Sequence, residues 1–257
     1  MSKKQEIWIR RIGPIAVLLL FLILWQYLAN TGQINTFFFS SPLEIIKDFI
    51  LLFTTGRIWL HLGVTVVESF SGLFIGLIMG VVFAFLFGNF KILNLVFDPI
   101  FVAIYGLPKL ALGPLFVIWF GLGLKSKVIM STLLVFFLVF FNAYAGFRDV
   151  NTELINTLKL MGASRMQIIK KVTLPSCVPW IIASLRSGIG ASVGGAIMGE
   201  YLGTNKGLGF LVQTAGANYD ITRVMSVILI MCILMLMLDA LGKKMEKVIL
   251  KWRPLAE

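Results

Sequence analysis

The chain has 257 residues, of which 58% are hydrophobic and 14% charged. A soluble domain runs near half apolar with about a quarter charged, so composition excludes an ordinary soluble globule and points to a membrane protein. The net charge of +11 would suggest a nucleic-acid partner in a soluble protein. Here no basic stripe interleaves with aromatics, and basic loops that orient spans and meet anionic lipid account for it. The two cysteines, Cys177 and Cys232, sit in apolar sequence as small core residues, and His61 is the only histidine. No metal-ligand spacing exists, so no zinc or haem site is expected.

A spanning helix needs roughly 20 apolar residues. The first candidate is Ile12 to Ala29, after the basic residues Lys3, Lys4, Arg10 and Arg11. A basic start before an apolar run also fits a signal peptide. The run is long for that and lacks a small-x-small cleavage site, which favours a retained span. Next, "FFFSSPLEIIKDFILLF" carries a helix start in Ser41, Pro42 and Glu44: a cap, a first-turn proline and a capping-box glutamate. Leu43, Ile46, Phe49, Ile50 and Phe53 recur at helical spacing, which predicts a short amphipathic helix at the outer interface.

The second span runs from about Leu60 to Gly88. Its Gly72, Gly76 and Gly80 put a smooth stripe on one face for close helix approach. The third covers roughly Leu95 to Gly121 and is interrupted by Pro108 and Pro114; the fourth covers about Val128 to Phe147. The fifth, from about Ser176 to Gly199, carries Ser184, Ser187, Gly188, Ala191, Ser192 and Gly195 at three- and four-residue spacing. A glycine-rich outer loop, "GEYLGTNKGLGF", leads to the sixth span, about Thr222 to Leu241, and a basic tail.

The domain reading is 1–58 for the N-terminal cytoplasmic segment, first span and interfacial helix, 59–242 for the transmembrane domain and 243–257 for the cytoplasmic tail. Six spans put both termini on one side. That topology places Lys91, Arg148, Lys159, Arg165, Lys170, Lys171, the four N-terminal cations and Lys243, Lys244, Lys247, Lys251 and Arg253 inside. Lys47, Arg57, Lys125, Lys127, Lys206 and Arg223 fall outside. The inside excess fits the positive-inside rule.

Between the fourth and fifth spans lies a basic, amphipathic segment, residues 149–175. Glu153 to Met161 reads as a short helix with Leu154, Ile155, Leu158 and Met161 on one face and Asn151 or Thr152 as cap. Gly162 is a helix stop. Ser164 with Gln167 makes a capping box for a second helix, with Met166, Ile169 and Val172 on its apolar face and Pro175 at its end. Each helix is too short to span. Their apolar sides fit partly the inner ends of the spans and partly a groove on a soluble partner. Because the second helix enters the fifth span without slack, the segment is suited to be a lever. A plain cytoplasmic hairpin is the other reading.

This stretch resembles the EAA loop of bacterial binding-protein-dependent ABC transporter permeases. That loop has a Glu-Ala-Ala triplet, a glycine after three more residues, nine further residues and then Ile-x-Leu-Pro. Gly162 matches the glycine, and Val172, Thr173, Leu174 and Pro175 match the end; Asn156, Thr157 and Leu158 stand in place of the triplet, so the glutamate has no counterpart. "GLPKLALGPLFVIWFGLGLKSKV" and "GEYLGTNKGLGFLV" resemble the third-span and outer-loop signatures of the nitrate, sulfonate and taurine branch.

The resemblance implies an all-α integral membrane protein of type I ABC permease fold, with six transmembrane helices and an EAA-like coupling helix pair. It implies residence in the bacterial plasma (inner) membrane with cytoplasmic N- and C-termini, and a non-catalytic permease subunit, here expected as a homodimer. Separate ATPase chains would hold ATP and magnesium, with no cofactor on this chain, and an extracytoplasmic solute-binding protein would deliver cargo. The residues implied in ATPase coupling are Leu158, Met161, Gly162, Ala163, Ser164, Arg165, Ile169 and Pro175. The expected solute is a small anion such as a sulfonate, taurine or nitrate. The branch also includes permeases for thiamine-precursor pyrimidines, riboflavin and aromatic acids.

Ionisable residues within spans are costly and raise functional hypotheses. Glu68, Lys109, Arg186 and Asp239 qualify, with Asp98 and Glu200 near span ends. Lys109 and Arg186 are candidates for a charged solute pathway or for pairing with a carboxylate such as Glu68. Ser187, Gly190, Ala191, Gly194 and Glu200 are further pathway candidates, and the small residues equally suit a dimer interface. Asp239 is expected to pair with Lys243. A stand-alone secondary carrier is disfavoured because the halves show no internal repeat. A membrane enzyme is disfavoured because its convergent acid, histidine or cysteine groups are missing. No G-x-x-x-x-G-K-[ST] stretch is present, so ATP hydrolysis is expected elsewhere.

Overall fold

The computed structural model describes the backbone of residues 3–251 and the side chains of residues 12–251. The expectations placed on the side chains of Lys3, Lys4, Arg10 and Arg11 and on Arg253 therefore lie outside the described residues. Every regular element within them is helical. Among the described residues, five helices have the length and hydropathy of membrane spans, and a helix pair bent by 83° makes a sixth where the pair is counted as one span. The chain divides into two compact units, residues 1–59 with 211–231 and residues 60–210 with 232–257.

The first unit holds α1 (Lys3–Asn30), α2 (Thr36–Phe39) and α3 (Pro42–Thr54), with the first turns of α12 (Ile221–Ile249). Ser41 caps α3 with Pro42 in its first turn. The expected capping box is only half made, because the Glu44 carboxylate pairs with Lys47 at 2.8 Å instead. The packed edge of α3 is Ile45 and Leu52, while Leu43, Ile46 and Ile50 remain exposed. The apolar pattern thus covered two faces. Asp48 and Arg223 join α3 to α12 through a two-pronged bridge at 2.7–3.0 Å. Ser226 donates to Ile45 O at 3.0 Å.

In the second unit, α7 (Leu124–Arg148) is the most buried of the membrane-length helices. The glycine stripe of α4 (Arg57–Asn89) lies directly against it. A Cβ at Gly72 would sit 2.2 Å from Ser131 Oγ, one at Gly76 2.7 Å from Val135 Cβ and one at Gly80 2.8 Å from Val139 Cβ. In lipid, helix association rests on such van der Waals contact. α10 (Leu174–Leu202) packs against α7 at the same residue, where a Cβ at Gly195 would meet Ser131 Cα at 2.7 Å. Phe87, Phe101 and Phe140 close the bundle nearer the α4 C-terminus, with ring centroids 4.9–5.1 Å apart.

The expected third span is broken. α5 (Lys91–Gly106) stops before Pro108, a short tight turn covers Lys109–Leu112, and α6 (Gly113–Phe120) leaves at 83°. Pro108 lacks the N–H that would continue α5, whereas Pro114 sits in the first turn of α6, where none is needed. α5 is about 24 Å long at 1.5 Å per residue, short of the roughly 30 Å hydrocarbon core. The helix that carries the sixth span continues past Leu241: α12 runs through Gly242 to Ile249, so Lys243, Lys244 and Lys247 stand on its last turns.

Candidate functional site

After α7 the chain folds into a helical hairpin. Asn151 Oδ1 accepts the Glu153 N–H at 2.7 Å and starts α8 (Thr152–Leu160). Gly162, at φ +79°, ends it, and the Ala163 N–H reaches back to Leu158 O at 2.9 Å. That left-handed closure is the reason a glycine stands there. Ser164 and Gln167 form both halves of the capping box that opens α9 (Arg165–Ile168). A wide π-helical turn, Ile169–Thr173, then carries α9 straight into α10. Pro175 does not end the second helix. It lies in the first turn of α10, and Arg165–Leu202 forms one 38-residue helical run. The π turn loosens the backbone just where the proline ring would crowd preceding carbonyls.

The hairpin is seated on the ends of α4 and α7. Arg165 donates to Asn89 O at 2.8 Å, and its guanidinium lies 5.9 Å from the Phe90 ring centroid. Ile168, absent from the expected apolar face, is the side chain of α9 that is buried. A cavity of about 420 Å³ remains under the hairpin, between Asn89, Phe147, Ile155, Lys159, Arg165 and Thr173. The outward side is apolar: Leu160 is 90% and Met161 77% exposed, with Leu154 and Met166 also exposed. Ile155 and Leu158 are half-buried, and Ile155 lines that cavity.

At the opposite end of this unit a polar network is buried. Lys127 is 0% exposed. Its ammonium donates to Leu122 O, to Gly123 O at 3.1 Å and to Gly203 O at 2.6 Å. Glu200, 1% exposed, accepts from Thr65 Oγ1 at 2.5 Å and from the Gly209 N–H at 2.7 Å. His61 Nδ1 accepts the Gly207 N–H at 3.1 Å. Glu68 lies beside Glu200 within electrostatic reach of Lys127, and its Oε2 is buried with no hydrogen-bond partner among the described residues. Sequence reasoning placed Lys127 in an outer loop and did not foresee its burial; the only signal was a lysine two residues after Lys125 at a helix start.

The pathway candidates separate. Arg186 faces two carboxylates of α12, Asp239 at 3.1 Å and Glu246 at 3.5 Å, and Lys243 holds Asp239 at 2.7 Å as expected. Lys109 donates to Tyr105 O at 2.5 Å and lies 4.2 Å from the centroid of that residue's ring. It thus closes the C-terminus of α5. Glu200 is inside the buried network rather than on an open face. On α10, Ser184, Gly188, Ser192, Gly195 and Gly199 are packed, while Ser187 and Gly194 are exposed and Gly190 and Ala191 half-exposed. A Cβ at Gly194 would meet nothing within 4 Å.

Residues 72–250 match the family model for the "Binding-protein-dependent transport system inner membrane component". The chain is 31% identical over 242 residues to the formylaminopyrimidine transport permease protein ThiX of Halalkalibacterium halodurans, covering 93% of this chain and 95% of that one. It is 28% identical over 252 residues to the putative aliphatic sulfonates transport permease protein SsuC of Bacillus subtilis, covering 98% and 90%. Its fold matches a chain of the MetNI methionine ABC transporter with a TM-score of 0.62 at 23% identity, covering 72% of this chain and 92% of that one. A family match over most of the chain agrees with the membrane-length helices and the seated hairpin: this chain belongs to the inner membrane components of binding-protein-dependent transport systems.

Proposed function

We propose that this chain forms the transmembrane pathway of an ATP-driven importer and that its α8–α9 hairpin is the seat for a separate cytoplasmic ATPase chain. The reading rests chiefly on the elbow formed by Leu160, Met161 and Gly162. Two of the most exposed apolar side chains among the described residues stand on a glycine bend, at the head of a helix that continues unbroken into the membrane-length α10. Such a pair would be costly in water and fits an apolar groove. Leu158, Ala163, Ser164, Arg165, Ile169 and Pro175 shape and carry the bend. In this arrangement both chain termini are cytoplasmic and the Lys127 network is extracytoplasmic.

Two copies pair around a central path. The open side of α10, with Ser187, Gly190, Ala191 and Gly194, faces that path or the second copy. The solute is a small anion of the sulfonate, taurine or nitrate kind, handed over by a solute-binding protein. A pyrimidine is the second reading, favoured by the 31% identity to the formylaminopyrimidine permease. ATP and magnesium are held by the ATPase chain.

The test is ATPase activity in liposomes holding this chain, an ATPase subunit and a binding protein, across sulfonates, taurine, nitrate, aromatic acids, pyrimidine precursors and riboflavin. Stimulation by one solute is expected and names the cargo. Failure to assemble with any ATPase subunit, with solute flux through the chain alone, would make it a carrier.

A further inference from the structure

Two further cavities open beside the seat of the hairpin. One, of about 370 Å³, lies between Asn89 at the end of α4, Lys91, Asn94 and Asp98 on α5, and Tyr144 and Arg148 on α7. The other, of about 620 Å³, shares Asp98, Tyr144 and Arg148 and continues along Val102, Phe141 and Trp180. Together they make one groove with a charged end and an apolar end. Phe141 lies two turns before Arg148 on α7, about 10 Å at 1.5 Å per residue. The groove therefore runs from the charged helix ends into the apolar part of the spans. Among the described residues α6, α11 (Leu208–Ala217) and α12 add no wall to it.

The charges at its mouth are unmet. Lys91, Arg148 and Asp149 are exposed and Asp98 is half-buried. None of the four makes an ion pair among the described residues. The cavity under the hairpin adjoins through the shared wall of Gly88, Asn89 and Phe147 and adds Lys159 and Arg165 without an acid. Four cations against two carboxylates favour an anionic occupant. A free anion has no use for the apolar end, whereas an acyl chain gains by leaving water or lipid for Val102, Phe141 and Trp180. Basic pockets between membrane helices hold anionic headgroups in this way. Asp98 and Asp149 would repel a bare phosphate but can accept hydrogen bonds from headgroup hydroxyls.

We propose that this groove binds one anionic glycerophospholipid of the phosphatidylglycerol class. The phosphate lies between Lys91 and Arg148, the glycerol hydroxyls donate to Asp98 and Asp149, and an acyl chain follows Val102, Phe141 and Trp180. Lys159 and Arg165 add attraction from the hairpin side. The bound lipid ties α5 to α7 next to the seat of the hairpin. The inference goes beyond the importer reading and needs only a chain embedded in a membrane, so either can fail while the other holds.

The experiment is native mass spectrometry of the full chain in detergent, titrated with phosphatidylglycerol, with phosphatidylethanolamine of the same acyl chains, or with inorganic phosphate. The wild type should retain one phosphatidylglycerol and bind it about tenfold or more tighter than phosphatidylethanolamine. K91Q with R148Q should weaken phosphatidylglycerol about tenfold or more. Lys91→Arg with Arg148→Lys keeps both charges and should keep the lipid. K244Q with K247Q removes two exposed cations of α12 and should change nothing. Wild-type affinity in K91Q/R148Q, or equal loss in the charge-keeping pair, would overturn the proposal. Equal weakening by the α12 pair would reduce the effect to general surface charge, and equal affinity for the two lipids would remove the anionic headgroup; either overturns it too. Displacement of the bound lipid by inorganic phosphate would make this a site for a free anion and overturn the lipid.

Discussion

Lys127 Nζ donates to Gly203 O at 2.6 Å, tying the first turn of α7 to the loop that leaves α10. The lysine is fully buried, and its ammonium is met by backbone carbonyls and by the nearby Glu68 and Glu200 carboxyls. Removing one side of a buried charged network leaves the other side desolvated and unmet. Lys127→Met should therefore destabilise the folded chain by about 3 kcal/mol, read from detergent-induced unfolding. A midpoint equal to the wild type would show that the network does not hold the loop.

The glycines of α4 and the open glycine of α10 should respond in opposite ways. A Leu at Gly72 has to displace Ser131, whose Oγ lies 2.2 Å from the new Cβ. Overpacking of this kind typically costs about 1–3 kcal/mol and more when backbone must move. Gly72→Leu should abolish recovery of monodisperse protein from the membrane, while Gly194→Ala, with nothing within 4 Å, should be recovered at wild-type yield. Equal yields would contradict the α4–α7 contact.

Gly162 tests the hairpin bend. Its φ of +79° costs an L-residue roughly 1–2 kcal/mol, and nothing crowds its Cβ position. Gly162→Val should leave the membrane-embedded helices folded but turn the Leu160–Met161 elbow out of place. Co-purification with the ATPase chain should fall severalfold. Gly162→Asn, which tolerates this backbone better, should retain most of it. Equal behaviour of the two variants would remove backbone conformation as the cause.

Arg186 carries a different expectation from the one its position in the sequence suggested. A lone cation in a span would select anions, but this guanidinium already faces Asp239 and Glu246. Arg186→Ala should loosen α10 from α12 and reduce uptake of anionic and neutral solutes alike. A loss confined to anions would show that Arg186 meets the solute directly.

Much of this was legible along the chain. Caps are local, so Asn151, Gly162, Ser164 and Gln167 announced the hairpin, and the four-residue spacing of Gly72, Gly76 and Gly80 announced a close helix contact. The 83° break before α6 was visible as Pro108 and Pro114, although not its angle, which depends on what α6 packs against. Side-chain partners across the bundle were not legible. Lys127 and Glu200 are 73 residues apart in the sequence, and nothing in either neighbourhood marks them as buried together. Pro175 misled because a proline stops a helix only when its missing N–H is needed, and a π turn before it removes that need.

The central claim is that the hairpin moves α10 as one piece. The most direct measurement is the coupling ratio, solute imported per ATP hydrolysed, in proteoliposomes. The variant is Lys170→Gly with Lys171→Gly, both in the π turn that joins α9 to α10. Each glycine costs the helix about 1 kcal/mol relative to alanine and softens the joint. The control, Lys170→Ala with Lys171→Ala, removes the same charges and keeps the helix. ATP hydrolysis should persist in both, and the coupling ratio should fall severalfold in the glycine variant alone. A glycine variant that imports as much solute per ATP as the control would contradict the lever.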